Sequence, residues 1–380
     1  MATDQKKILT INGGSSSIKF AVYTMSVVPE KLFSGIIEKI GLDQTKSDFQ
    51  NAVNDLISRL EKEKLLENIA GIGHRIVHGM NFTEPQMVSD SLLTELQKIS
   101  PYDPNHLPGE IELIRVFQKE LPDVPEFVCF DTSFHSSIPR IAQILPIPRK
   151  YDKQGIRRYG FHGLSYSYIM EELIKRGEPA ATRGRIILAH LGNGASMAAV
   201  RNGKSIDTSM GFTPTGGLVM GTRSGDLDPG LTALIMDREK MDPQSFNDFV
   251  NRRCGLSGVS ETSSDMQELL KTEDHDVRAS EAVNLFCYQA KKWIGAFTAV
   301  LNGLDVLVFT GGIGEHAPVI RSRICEGLDY LGIEIDPVKN EQGSEIISYD
   351  DHRVIVYVIP TNEESMIAKL VYKTLSNQKL

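Results

Sequence analysis

Five polar clusters in this sequence carry residue types suited to phosphate, carboxylate or a hard cation. The first is Asn12-Gly13-Gly14-Ser15-Ser16-Ser17-Ile18-Lys19, a turn rich in glycine and serine between two apolar runs. Glycine accepts positive φ and asparagine tolerates it, so the stretch suits a tight β-hairpin. It also gathers backbone N–H groups, the hydroxyls of Ser15, Ser16 and Ser17, and the Lys19 ammonium, which together suit a phosphate group. The spacing of a Walker loop is absent, and a polar hairpin is the simpler reading of this turn alone. The second cluster is Asp131-Thr132 at the end of Val128-Cys129-Phe130; a strand-end carboxylate anchors Mg2+ or caps a turn equally well. The third is Gly221-Thr222-Arg223-Ser224-Gly225-Asp226, where glycines admit a close ligand and a guanidinium forks onto phosphate or carboxylate. The fourth, Thr310-Gly311-Gly312-Ile313-Gly314-Glu315, follows an apolar run and offers backbone amides before a helix expected from Pro318. The fifth, Thr361-Asn362-Glu363-Glu364, reads as a helix N-cap followed by acids, or as a second carboxylate for a magnesium–nucleotide site. His78, His135, His162 and His190 lie near these clusters, but none has metalloprotease spacing, and each alone reads as structural.

The elements that must position these groups follow from hydrophobic pattern. Strands are expected at Lys7 to Asn12, Ile18 to Tyr23, Leu32 to Ile37, Ala70 to Val77 and Glu126 to Phe130. Helices are expected around Phe49 to Leu60, at Asp90 to Ile99 and at Gly109 to Glu120. The proline-bearing stretch Ile138 to Gly155 reads as a connection. Beyond it come a helix from Ser165 to Arg176, strands at Arg185 to Leu191 and onward to Val200, and an aperiodic loop from Asp207 to Gly230. A loop of that length is usually functional. Helices at Asp228 to Asp237, Pro243 to Arg253 and Val277 to Asn302, strands at Asp305 to Phe309 and Arg353 to Ile359, and a helix from Glu363 to Leu375 complete the reading. Asn12, Gly13 and Ser15 recur at one constant offset as Asn193, Gly194 and Ser196, and the strand ends Phe127 to Phe130 and Leu307 to Phe309 look like a second echo. The pattern implies two copies of one α/β unit whose hairpins face each other across a cleft.

At 380 residues the chain exceeds one ordinary core, so two domains are expected. With 41% apolar and 24% charged residues it is globular in composition, and its net charge of −8 argues against a nucleic-acid surface. Cys129, Cys254, Cys287 and Cys325 are scattered, which suits neither a disulfide framework nor a zinc site and fits a reducing compartment. No apolar run approaches bilayer length and no secretory leader precedes the first strand, so the expectation is a cytoplasmic enzyme with no membrane partner.

The sequence closely resembles the acetate kinase family. Nine ordered segments carry the resemblance: INGGSSSIKF from Ile11, GHRIVHG from Gly73, FDTSFH from Phe130, RRYGFHG from Arg157, HLGNGAS from His190, DTSMGFTP from Asp207, GLVMGTRSGDLDPG from Gly217, FTGGIGE from Phe309 and PTNEE from Pro360. The resemblance implies a duplicated actin-like (ribonuclease H-like) α/β ATPase fold, with the active site in the cleft between two domains and closure that excludes water. It implies an N-terminal domain over 1–137, a C-terminal nucleotide-binding and dimer-forming domain over 138–363, and a helix over 364–380 packing back on the first. It further implies reversible transfer of the γ-phosphoryl group of ATP to acetate, giving acetyl phosphate and ADP, with Mg2+ and as a homodimer.

Carried over by matching motif, Asn12, Ser15, Ser17 and Lys19 line the phosphate and metal region. Arg75 and Arg223 hold the carboxylate and the transferring phosphoryl group, with His162 beside them. Asn12, Asp131 and Glu363 organise Mg2+. His190, Asn193 and Gly194 meet phosphates, Gly312 and Gly314 lie against the nucleotide with Asp265 on its adenosine side, and Val77, Phe161 and Pro214 wall the acyl tail. Departures fall at the acyl and base contacts: Ser100-Pro101-Tyr102-Asp103-Pro104-Asn105-His106-Leu107-Pro108 replaces the usual APLHNP-type segment, Tyr166 a histidine, Thr215-Gly216 the usual LE, Gln267 an arginine and His316 an asparagine. Propionate or butyrate kinase of the same architecture is therefore the near alternative, and an ATP-binding switch without acyl phosphate chemistry the distant one. Arg75 with Arg223 disfavours the switch, which has no anionic acceptor to neutralise.

Overall fold

The computed structural model describes residues 5–14, 17–38 and 46–377. It divides into two compact units: Met1–Phe134 with His162–Tyr168 and Asn362–Leu380, and His135–Phe161 with Ile169–Thr361. Each is a mixed sheet packed by helices.

In the first unit, β1 (Lys7–Gly13), β2 (Ser17–Thr24), β3 (Lys31–Glu38), β4 (Ile69–Ile76), β5 (Gln86–Met87) and β6 (Glu126–Phe130) lie in the order β3-β2-β1-β4-β6-β5. The β1-β2-β3 meander is antiparallel, whereas β1, β4 and β6 run parallel. Successive strand side chains face opposite ways, and here both faces are covered. Leu9, Ile11, Phe20 and Val22 pack with Val53 and Leu56 of α1 (Lys46–Lys62) and Phe117 of α3 (Leu107–Glu120). Their neighbours Ile8, Ala21 and Tyr23 face the C-terminal helix Glu363–Asn377 through Ile367 and Val371. A third core joins Ile76 and Phe130 to Leu93 and Leu96 of α2 (Asp90–Ile99) and to Leu107 and Ile111 of α3. Parallel strands buried on both faces hold their ends firmly, and Arg75 and Asp131 sit at two such ends.

In the second unit, β7 (Arg185–Leu191), β8 (Ala195–Arg201), β9 (Lys204–Thr208), β10 (Val306–Thr310) and β11 (Ile355–Val358) take the order β11-β10-β7-β8-β9. The helix Val277–Leu301 packs on β7 and β8. Read from its other edge, this sheet repeats the first five positions of its counterpart, with the same antiparallel meander followed by two parallel strands. The duplication is therefore written in topology.

Three expectations are corrected. The echo between β6 and β10 is not an equivalence: by position β10 matches β4, and β11 matches β6. Short buried apolar runs look alike, and only strand order separates them. The long loop opens later than expected, because Lys204–Thr208 is an edge strand paired with β8 despite its polar sequence. Gly311–His316 is itself a helical segment preceding the helix Pro318–Cys325. Its three glycines disguise it; the Glu315 carboxylate accepts the Gly311 N–H at 2.8 Å, and Arg321 donates to the carbonyls of Gly314 and Glu315 at 2.9 Å each. The segment is thus tied at both ends.

Candidate active site

In the first unit, β1 and β4 are neighbours, as are β4 and β6, so Asn12, Arg75 and Asp131 emerge from adjacent strand ends. Arg75 donates from Nε (2.9 Å) and Nη2 (2.6 Å) to the same Asp131 oxygen, Oδ2. Its Nη1 reaches Asn12 Oδ1 at 3.3 Å. Asn12 Nδ2 in turn donates to Glu363 (2.9 Å) and Glu364 (3.2 Å) at the start of the C-terminal helix. Asn362 caps that helix, accepting from the Ser365 N–H at 2.9 Å and the Tyr23 hydroxyl at 3.1 Å. A guanidinium, an amide and three carboxylates thus share one polar network.

Asp131 is fully buried, and among the described residues no hydrogen bond reaches its Oδ1. Burial pushes its carboxyl above the ordinary range; Arg75 pulls it back, and Glu363 adds to the push. Burial works against the Arg75 cation, but Asp131 and Glu363 outweigh it and hold the guanidinium charged well beyond the ordinary arginine range. We take the pair as ionised at neutral pH, because two donors converge on one carboxylate oxygen.

Next to His162 in the chain, Gly163 fixes the local backbone against Asp131. The Gly163 N–H donates to the Asp131 carbonyl at 2.8 Å, and a Cβ on Gly163 would lie 2.1 Å from that oxygen. His162 is buried and left-handed, with φ 59°. Val77, directly after β4, is also buried. Ser17 opens β2 and its carbonyl accepts the Gly14 N–H at 2.8 Å, while Lys19 is exposed on β2 opposite Asn12. Ser15 lies outside the described residues.

In the second unit, β7 and β10 are partners, with His190 opposite Thr310. That pairing sets the turn Gly192-Asn193-Gly194 near the segment holding Gly312 and Gly314. The Gly221 N–H donates to the Asn193 carbonyl at 2.9 Å, and a Cβ on Gly221 would lie 1.9 Å from Asn193 Oδ1. The Arg223 loop is therefore built against the hairpin. Its carbonyls at Met220 and Thr222 accept amides of Leu256 and Cys254, and Arg223 Nη1 reaches the Pro214 carbonyl at 3.3 Å. Asp265 is an N-cap, accepting from the Gln267 N–H at 2.7 Å. The Thr215 hydroxyl is engaged by Asn251 at 2.7 Å. Phe161 is buried, and its carbonyl lies 3.0 Å from His135 Nε2, whose Nδ1 lies 2.9 Å from Ser205 Oγ. A carbonyl only accepts, so Nε2 carries the proton and Nδ1 accepts from Ser205. Burial holds His135 neutral, with its pKa lowered to about 4.

Sequence reasoning passed over several members of these networks. Tyr23 and Arg321 sit in apolar or helical runs that signal only packing, and Glu110, whose carboxyl meets the Val77 amide, sits in an amphipathic helix like any surface acid.

Residues 7–369 match the model of the acetokinase family. The chain is 42% identical to the acetate kinase of Dictyoglomus thermophilum, covering 96% of this chain and 98% of that one. Among solved structures it resembles an acetate kinase from Porphyromonas gingivalis with a TM-score of 0.87 at 34% identity, over 97% of this chain and all of the other. It also resembles a propionate kinase from Francisella tularensis subsp. tularensis with a TM-score of 0.89 at 36% identity, over 96% of this chain and 98% of the other.

Proposed function

The chain belongs to the acetokinase family and is a phosphotransferase with a carboxyl group as acceptor, and from that premise we propose that ATP is its donor, acetate its preferred acceptor and Mg2+ its metal. The observation carrying this reading is the buried Asp131–Arg75–Asn12–Glu363 network, which maintains one guanidinium as a permanent cation at a strand end.

The chemistry follows from charge. A carboxylate is ionised at neutral pH and needs no general base. Its oxygen attacks the γ-phosphorus, the bond from that phosphorus to the bridging oxygen breaks, and ADP leaves with the electron pair. The obstacle is repulsion between anion and polyanion, so catalysis is mostly positioning and charge stabilisation. In this reading Arg75 orients the acceptor carboxylate, and Arg223 with His162 neutralises the transferring group. His190, Asn193, Gly194, Gly312 and Gly314 receive phosphates and nucleotide, and Val77, Phe161 and Pro214 bound the acyl tail.

The residues present fit a magnesium ion. Among the described residues, Asp131 has a buried carboxylate oxygen that accepts no hydrogen bond, and Glu363 and Glu364 share Asn12. Among the described residues no three His, Cys, Asp or Glu cluster as a metal cage, yet Mg2+ commonly takes one or two carboxylates with waters and phosphate oxygens. When bound it supplies charge neutralisation on the phosphates. Asp131 and Glu363 would hold it, directly or through water, and Asn12 orients Glu363.

We also infer a homodimer. The helix Pro229–Glu239 has no buried residue, and Leu227, Leu231 and Leu234 are all exposed, an apolar stripe of the kind that marks an interface. A single-chain mass by light scattering would refute that part.

ADP formation from ATP, followed by a coupled assay while acetate, propionate or butyrate is added, tests the reading. Acid-dependent ADP release that requires Mg2+ and has its highest kcat/KM with acetate supports it. Preference for propionate would change the acceptor, and ADP release indifferent to acid would point to an ATP-binding switch.

A further inference from the structure

Glu110 lies in the first turn of α3, 6% exposed, and both of its carboxyl oxygens accept the Val77 N–H at 3.2 Å. Val77 is the first residue beyond β4. On the preceding residue the Ile76 carbonyl accepts the Asp131 N–H at 3.0 Å. The chain leaving β4 is thus gripped on consecutive residues, by a backbone amide of the Asp131 segment and by a side chain of α3.

The grip is rigid because its base is core. Leu107, Ile111 and Ile114 of α3 pack with Ile76, Val128 and Phe130, so the helix cannot slide without disturbing both strand ends. Behind Glu110, a cavity of about 10 Å³ is lined by Gly13, Gly14, Asn105 and His106, room for about one water. The charged and titratable groups around it are Asp103 and His106 before α3, Arg75 at the β4 end and Asp131 after β6. Burial and the nearby Asp103 push the Glu110 carboxyl well above its ordinary range, against the pull of Arg75 and the Val77 amide. A buried carboxyl gripping a backbone amide fixes where that amide stands.

We propose that Glu110 is a positioning residue for the carboxylate acceptor: by holding the Val77 amide it fixes how Arg75 leaves its strand and where the Val77 side chain stands. The proposal rests on the reading that Arg75 and Val77 meet the acceptor. It concerns orientation, and a misplacement of a fraction of an ångström in such a group is amplified in rate.

Two variants of the full chain test it. Glu110→Met keeps the reach and packing but removes the acceptor, leaving the Val77 N–H unsatisfied; Glu110→Gln restores a neutral acceptor. Steady-state kinetics with ATP and acetate each varied are expected to show, for Glu110→Met, an acetate KM raised on the order of tenfold with the ATP KM within about twofold. Glu110→Gln is expected to return the acetate KM to within about threefold of the parent. Hydrogen exchange at the Val77 amide should quicken in the Met variant and be restored in the Gln variant. Should Glu110→Met fail to fold, a tenfold rise in acetate KM for Glu110→Gln would overturn the proposal. An unchanged acetate KM in Glu110→Met, or equal rises for both substrates, would overturn it while leaving the acceptor reading intact. A parent chain that releases no ADP on acetate addition would overturn both.

Discussion

Arg75→Ala separates the catalytic and structural consequences of one ion pair. Arg75 is half-buried, Asp131 fully so, and Nε and Nη2 of Arg75 converge on Asp131 Oδ2. Removing the guanidinium strands a carboxylate away from water, which in buried pairs costs about 3–5 kcal/mol. For a unit of this size that corresponds to a melting-temperature loss of roughly 10 °C. The loss has a pH signature. With Asp131 already pushed above its ordinary pKa by burial and by Glu363, removing Arg75 raises it further. An acid whose folded pKa exceeds its unfolded value carries no penalty below the unfolded pKa, near 3.9, and loses stability as pH rises through the folded one. The gap between parent and variant should therefore be small near pH 4 and widen toward neutrality. Arg75→Ala/Asp131→Ala removes the stranded charge and should recover most of the lost stability while recovering no activity. Turnover should fall on the order of hundredfold or more in both, from lost transition-state charge stabilisation. Scanning calorimetry across pH 4 to 8, beside the coupled ADP assay, reads both effects. Equal melting temperatures for parent and single variant at neutral pH would refute the stranded-charge argument. Near-parental turnover would remove Arg75 from the site.

Gly221→Ala would place a methyl 1.9 Å from Asn193 Oδ1, so the Asn193 side chain or the whole Arg223 loop must shift; overpacking of this kind costs about 1–3 kcal/mol. We expect turnover to drop on the order of tenfold or more, and parental kinetics would show that the hairpin and the arginine loop need no fixed register. His135 has a folded pKa lowered to about 4, below its unfolded value of about 6.5. The stability it contributes is complete above pH 6.5 and lost as pH falls toward 4, a swing of about 3 kcal/mol. His135→Asn, whose amide can still donate to the Phe161 carbonyl, should melt with a flatter acid dependence between pH 7 and 4, and an unaltered acid limb would contradict this.

Much of the architecture was legible because it is local. The β1–β2 hairpin, the Asp131 strand end and helices α1, α2 and α3 follow from alternation, helical spacing and turn chemistry. The parts that were not legible depend on partners distant in sequence. Which apolar strand echoes which is decided by strand order, since β6 and β10 share composition but not position. Lys204–Thr208 is a strand because β8 offers it an edge. Gly311–His316 becomes helical through Glu315 and Arg321, whose side chains supply what its glycines lack. The candidate site shows the same division. Asn12, Asp131 and Glu363 were each visible as polar residues at element ends and Arg75 only through the family motif, yet that they form one network follows from β1, β4 and β6 lying side by side. Glu110 gave no signal, because its significance is the one amide it meets.

Trapping with hydroxylamine tests the central claim most directly, since it captures the acyl phosphate itself rather than the ADP left behind. With ATP, Mg2+ and acetate, acetyl hydroxamate is expected in proportion to ADP, and is expected to be lost in Arg75→Ala. ADP accumulating without hydroxamate would mean that the phosphoryl group goes to water, and would contradict the reading of Arg75 as the residue that presents a carboxylate to ATP.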